Sequence, residues 1–113
     1  MPDPDFSATY VRLRQILEPY LDKASVKTDE PGALYVERLD TDKPEMFAAV
    51  ATKKSYVSFH YMPVYANPEL LNDISDDLRR RMQGKSCFNF KRADDPAIED
   101  LARLVEATVR DGL

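Results

Sequence analysis

The chain contains one histidine and one cysteine, and these are the first residues to consider for chemistry. His60 lies in an apolar run beside Ser58, where its imidazole could bind a ligand or could serve only as a surface or structural residue. One histidine excludes a metal cage that is built from several histidines of the same chain. The two interpretations of His60, a binding residue or a structural one, stay open from the sequence alone.

Cys87 comes shortly after three consecutive arginines, residues 79–81, and after Lys85. Nearby cations favour the reactive thiolate form of a cysteine. Cys87 also belongs to a short alternating segment with Phe88 and Phe90, where a free cysteine is more often a small buried side chain. We therefore expect a structural thiol that reacts slowly in the native protein. No nucleophile–base pair is visible in the sequence, so we predict that the protein is not an enzyme.

Clusters of like charge along the sequence can be binding sites or ordinary surface charge. The basic residues near Cys87 could bind a phosphate or carboxylate, or they could be a solvated helix end, where cations meet the negative pole of the helix dipole; they are Arg79, Arg80, Arg81, Lys85, Lys91 and Arg92. None of the acidic pairs has the spacing of a calcium-binding loop; they are Asp40/Asp42, Asp76/Asp77 and Asp94/Asp95. We predict no metal site and no cofactor.

Aromatic and polar residues are dense around His60, and they suggest a ligand site. If the segment after Gly84 pairs with the strand that contains His60, then His60, Tyr65 and Lys85 approach one rim. Imidazole, phenol and ammonium groups would there donate hydrogen bonds to an anionic or carbonyl group. The predicted ligand-binding residues are Tyr56, His60, Tyr65 and Lys85, and the predicted partner is a small anionic ligand or a protein.

The elements that must position these residues begin with a helix and a hairpin. A helix capped by Asp5 or Ser7 carries an apolar stripe, and Pro19 should end it near Glu18 or bend it there. Pro31-Gly32 then predicts a turn between two strands whose polar content is typical of a sheet edge. A second hairpin follows, and its residues Val57, Phe59 and Tyr61 should share one face.

Helical signals dominate the second half of the chain. Asn67-Pro68 predicts a helix start, and Ser75 should cap a short helix that carries Leu78 and Met82 until Gly84 stops it. Residues 87–90 form a further strand, in which the two phenylalanines should point into the core and Asn89 away from it. Asp95-Pro96 begins the last helix. This order predicts an α+β fold, with an antiparallel sheet of about five strands packed against N- and C-terminal helices.

Length and composition exclude several classes of protein. A chain of 113 residues fits one domain over residues 1–113, of which residues 1–5 form a tail. The net charge of −4 argues against nucleic-acid binding, and the longest apolar run is too short to span a bilayer. A single cysteine suits the reducing cytoplasm. The sequence leaves open whether the protein is a monomer or a homodimer.

Two blocks of the sequence resemble a bacterial family of unknown function, the YdhG-like domains, over roughly residues 6 to 110. The blocks are Tyr56-Val57-Ser58-Phe59-His60-Tyr61-Met62-Pro63-Val64-Tyr65, followed by Pro68-Glu69-Leu70-Leu71, and Arg81-Met82-Gln83-Gly84-Lys85-Ser86-Cys87-Phe88-Asn89-Phe90. The resemblance implies an antiparallel sheet backed by helices. Some relatives are described as frataxin-like intracellular iron chaperones.

These observations favour a non-enzymatic binding module for a small ligand or a protein partner. The alternative is a frataxin-like iron-binding chaperone, which the resemblance alone implies. Frataxin-like iron binding relies on an exposed acidic ridge, whereas the first helix of this chain carries Arg12 and Arg14. We therefore expect weak iron binding or none.

Overall fold

A computed structural model of the chain describes residues 6–30, 32–38, 46–72, 74–84 and 86–110. Over these residues the chain forms four α-helices, six strands and two 3-10 helices, Glu18–Lys23 and Pro68–Leu71. In chain order the other elements are α1 (Ser7–Leu17), β1 (Ala24–Glu30), β2 (Ala33–Arg38), β3 (Met46–Thr52), β4 (Val57–Tyr61), α2 (Met62–Ala66), α3 (Asp76–Arg79), β5 (Met82–Gln83), β6 (Cys87–Phe90) and α4 (Ala97–Arg110). No described helix is long and apolar enough to cross a membrane.

The six strands form one antiparallel sheet in the order β1-β2-β3-β4-β6-β5. The predicted α+β class with an antiparallel sheet is confirmed. The sheet has one strand more than the predicted five, because Met82 and Gln83 leave the predicted helix and pair with β6.

The core lies between one face of the sheet and the helices, and alternation along the strands selects its members. Leu13 of α1 and Leu101 of α4 belong to the same buried cluster as the inward side chains of the strands. Phe88 and Phe90 are fully buried in it, which confirms their predicted facing. The register between β2 and β3 shifts at Phe47, which puts two consecutive side chains, Phe47 and Ala48, into the core.

The first helix and the first hairpin follow the sequence signals closely. Helix α1 ends at Leu17, and a 3-10 helix that contains Pro19 follows it, as predicted. Strand β1 lies at the edge of the sheet, and Gly32 supplies the turn into β2 with φ +83°. The predicted cap by Ser7 is wrong, because Ser7 is already the first helical residue. Asp5 and Pro31 lie outside the described residues.

Gly84 has a different function from the one predicted. Ser75 caps α3 as expected, since its Oγ accepts a hydrogen bond from the Leu78 backbone N–H at 3.1 Å. However, α3 ends at Arg79, and Gly84 with φ +78° lies in the turn between β5 and β6. Burial explains the change, because pairing β5 with β6 places Met82 opposite Phe88 and against the core.

Helix α4 begins as the Asp95-Pro96 signal predicts. Oδ1 of Asp95 accepts a hydrogen bond from the Ala97 N–H at 3.0 Å, while Oδ2 pairs with Nε of Arg81 at 2.6 Å. Asp95 therefore caps α4 and also forms an ion pair with Arg81 in the turn after α3. Through it, the turn that leads into β5 and β6 is fixed to the start of the last helix.

Candidate functional site

The sheet has one face that no described helix covers, and we call it the open face. The buried hydrophobic side chains of the described helices all join the core on the opposite side of the sheet. Strand register places one row of residues across the open face, half-buried from Thr28 to Cys87 and exposed at Gln83. From β1 to β5 this row is Thr28, Tyr35, Ala49, His60, Cys87 and Gln83. A shorter parallel row consists of Ala33, Ala51, Ser58 and Asn89.

His60 occupies the middle of the open face and uses both of its ring nitrogens within the chain. Its Nδ1 lies 3.3 Å from Sγ of Cys87, the residue directly opposite it in β6. Its Nε2 lies 2.7 Å from Oγ of Ser86, which is only 6% exposed. Partial burial lowers the pKa of His60 below its usual value, because the charged ring loses solvation. The ring is thus neutral and held in place at pH 7.

Ser58 and Asn89 form the neighbouring cross-strand pair and differ from His60 in one respect. Both are half-buried, and within the described part of the chain neither side chain forms a hydrogen bond. Among the described residues no buried side-chain nitrogen or oxygen lacks a partner, so the polar atoms of this pair are reached by solvent, where water or a ligand can bind them. Ala51, directly opposite Ser58 in β3, carries only a methyl group. These two side chains are free to bind a group that arrives from outside.

The predicted site residues are only partly brought together. His60 lies on the open face. Tyr56, the residue directly before β4, is half-buried. Tyr65 is 54% exposed in α2, where it lines a groove with Met82 and Gly84 on the helix side of the sheet. The structure therefore does not place Tyr65 beside His60. Lys85 lies outside the described residues.

Cys87 differs from its expected environment. It is half-buried on the open face, instead of being enclosed in the core. The alternation that buries Phe88 and Phe90 necessarily turns Cys87 and Asn89 to the other face. Its contact with His60 is also a nucleophile–base pair that the sequence did not reveal, because the two residues are 27 positions apart. Alternation applied to β4 and β6 predicts that the two residues share a face, but only the register of the two strands brings them opposite each other.

The basic cluster is largely occupied by contacts within the chain. The arginine side chains bind one backbone carbonyl and three carboxylates; the pairs are Arg79 with the Leu71 carbonyl, Arg80 with Asp77, Arg81 with Asp95, and Arg92 with Asp94. The Arg92 guanidinium lowers the pKa of the Asp94 carboxyl group. Of the two interpretations, these contacts favour the solvated helix end over a phosphate or carboxylate site, because the arginines already have partners within the chain.

Among the described residues, no three histidine, cysteine, aspartate or glutamate side chains lie close enough together to hold a metal ion. Several carboxylates are instead bound by arginine. Arg14 pairs with Asp29 and lowers its pKa, and Arg103 binds Asp100 at 2.8 Å. Whether the protein binds iron stays a prediction. The contacts bear on it only because they occupy carboxylates that could otherwise bind a metal.

Comparisons with known proteins found no matching family model, no matching curated protein and no matching solved structure. The resemblance to the YdhG-like domains therefore stays a prediction, and the function is inferred from the open face itself.

Proposed function

We propose that the protein is a non-enzymatic binding module that takes a small ligand with a carboxylate or carbonyl group on the open face. The observation that carries this proposal is the pair formed by Ser58 and Asn89. Both are half-buried, both lack a side-chain hydrogen bond within the described residues, and both lie on the face that the described helices leave uncovered.

The chemistry of this pair suits a carboxylate or a carbonyl oxygen. The hydroxyl of Ser58 and the amide of Asn89 can each donate a hydrogen bond to an oxygen atom of a ligand. Cross-strand partners in a sheet have Cβ atoms about 5 Å apart, so both can reach the same small group. The ligand class is therefore set by two neutral donors and not by the arginines, which already have partners.

His60 would contribute a surface to such a ligand and not a hydrogen-bond donor. Both ring nitrogens are occupied by Ser86 and Cys87, which fixes the imidazole. Ala49, directly across from His60 in β3, is too small to cover the ring from that side. A planar ligand could lie over Ala49 and Ala51 with its edge toward Ser58 and Asn89. Tyr35 follows Ala49 in the row and bounds this space on β2.

A thermal-unfolding screen tests the proposal. The purified chain is heated with single members of a set of small carboxylates and carbonyl compounds, and any ligand that prefers the native state raises the midpoint by mass action. A ligand at about 100 times its Kd adds about 2.7 kcal/mol to the free energy of unfolding. Calorimetry then gives the affinity of each compound for the wild type, Ser58→Ala and Asn89→Ala.

The matched control is Asn72→Ala, which removes the same amide from an exposed position at the end of a 3-10 helix. We expect the open-face variants to lose at least about tenfold in affinity, which is 1.4 kcal/mol. The control should bind like the wild type. The small-ligand form of the proposal is wrong if no compound shifts the midpoint, or if the affinity of every hit is unchanged in Ser58→Ala and Asn89→Ala.

The same proposal includes a cytoplasmic location, supported by the single cysteine of the chain. A protein partner on the open face is the other form of the binding module. Two results together would point to that form: no small molecule raises the unfolding midpoint, and the NMR signals of Ser58 and Asn89 in the labelled protein disappear when a cell extract is added.

A further inference from the structure

Three side chains on and beside the open face form a chain of contacts: a nucleophile, Cys87, a base, His60, and a group that orients the base, Ser86. Sγ of Cys87 lies 3.3 Å from Nδ1 of His60, and Nε2 of the same ring lies 2.7 Å from Oγ of Ser86. This order of groups is how proteins activate a thiol: the base takes its proton, and a third group holds the base in orientation. The proposed ligand site uses other donors and leaves this chain of contacts unexplained.

The hydrogen bonds of His60 fit both states of a proton transfer. With the ring neutral, Nδ1 can accept the thiol proton while the Nε2–H donates to Ser86. With the ring protonated, both nitrogens donate, one to the thiolate of Cys87 and one to Ser86. Oγ of Ser86 accepts in both states, so no heavy atom has to move.

We propose that Cys87 is a site of oxidation by small hydroperoxides, with His60 as the proton carrier. The thiol proton passes to Nδ1 of His60, and the sulfur attacks one peroxide oxygen. An S–O bond forms, the O–O bond breaks, and the proton on His60 passes to the departing oxygen. Cys87 becomes a sulfenic acid and is oxidised by two electrons, while hydrogen peroxide is reduced to water.

Two features of the site favour a hydroperoxide over other reactants. The departing oxygen of a peroxide needs a proton, and protonated His60 would carry one next to the sulfur. Cys87 is only half-buried, so a small oxidant can reach it from the open face. The chain has no second cysteine, so an external small thiol must resolve the sulfenic acid, giving a mixed disulfide and water.

The test measures oxidation and alkylation of the single thiol. Reduced full-length protein is treated with hydrogen peroxide, the sulfenic acid is trapped with dimedone, and the adduct is followed by mass spectrometry. The alkylation rate with iodoacetamide is measured in parallel, in buffer and in denaturant. We expect the native wild type to react at least about tenfold faster than its own unfolded chain, since a positioned proton carrier contributes roughly 100-fold or more.

His60→Gln should abolish that advantage, and Ser86→Ala should reduce it several-fold, while the rates in denaturant stay equal for all variants. Thr28→Ala is the control, because Thr28 lies in the same row on β1 and should leave the rate unchanged. If His60→Gln does not fold, Ser86→Ala decides the question. A native wild-type thiol that reacts more slowly than the unfolded chain overturns the proposal. So does a native rate that neither substitution changes.

Discussion

Tyr61 of β4 and Thr108 of α4 bind each other through their hydroxyl groups inside the core. Tyr61 is fully buried, and this burial raises its pKa to about 12 because the phenolate would lose solvation. Thr108 also donates a hydrogen bond to the Val105 carbonyl at 3.0 Å. The contact joins the strand that carries His60 to the last helix, 47 positions further along the chain.

The first prediction is that Tyr61→Phe lowers the free energy of unfolding by about 1 kcal/mol, the usual net value of one hydrogen bond. The ring and its edge contact with Phe47 are kept, and Thr108 retains its bond to Val105. Urea denaturation measures the change. Tyr65→Phe is the matched control, because this tyrosine is exposed and should change stability by less than about 0.5 kcal/mol. Equal losses in the two variants would contradict the prediction.

Much of the fold was predictable because single residues determine it locally. Pro19 ends the first helix, Gly32 adopts the positive φ that its turn requires, and Asp95 caps the last helix. The error around Gly84 shows the limit of such signals. A glycine that tolerates positive φ can end a helix or form a hairpin turn, and only the burial of Met82 against the core selects the second.

The site was less predictable than the fold, for a similar reason. The residue type of His60 marks it as a candidate in the sequence, but its predicted neighbours rest on position along the chain and not on the face of the sheet. Tyr65 turns to the helix side, whereas Cys87 and Asn89 come to the open face. The facing of residues in one strand can be predicted by alternation. The residues that face each other depend on register, which long-range pairing sets.

The second prediction compares two glycines with positive φ. A Cβ atom added to Gly84 meets nothing within 4 Å, whereas one added to Gly32 lies 3.2 Å from Oγ1 of Thr52. Gly84→Ala should therefore cost only the backbone term, about 1–2 kcal/mol. Gly32→Ala should cost this term and an added steric one. Chemical denaturation measures both.

A double-mutant cycle isolates the steric part at Gly32. With Thr52→Ala in the background, Oγ1 is absent and Gly32→Ala should cost no more than Gly84→Ala. If Gly32→Ala costs the same in both backgrounds, the contact with Thr52 has no energetic effect and the steric argument fails.

The third prediction is weak iron binding or none. Oxygen-rich metal sites need several carboxylates that converge on one point. In this chain Arg14 occupies Asp29, Arg81 occupies Asp95 and Arg103 occupies Asp100, so iron would have to displace an arginine at each. Isothermal titration with ferrous iron under anaerobic conditions measures the affinity. Stoichiometric binding at micromolar concentration, lost on substituting a few of these carboxylates, would instead favour an iron chaperone.

The last prediction concerns the pH dependence of stability. The pKa of His60 in the folded protein lies below its value of 6.5 in the unfolded chain, because partial burial disfavours the charged ring. Well above pH 6.5 both states hold a neutral ring, and this contribution to stability is complete. As the pH falls, the unfolded chain takes up the proton first, so the contribution is lost as the pH falls through the folded pKa.

His60→Gln should remove this dependence, because glutamine does not titrate. Free energies of unfolding from urea curves, measured in steps between about pH 7.5 and pH 5, give the comparison. The carboxylates titrate alike in both proteins, so the difference between wild type and variant isolates His60. We expect the wild type to lose more stability than His60→Gln as the solution is acidified. Parallel curves would mean that the His60 ring is solvated as well in the folded protein as in the unfolded chain.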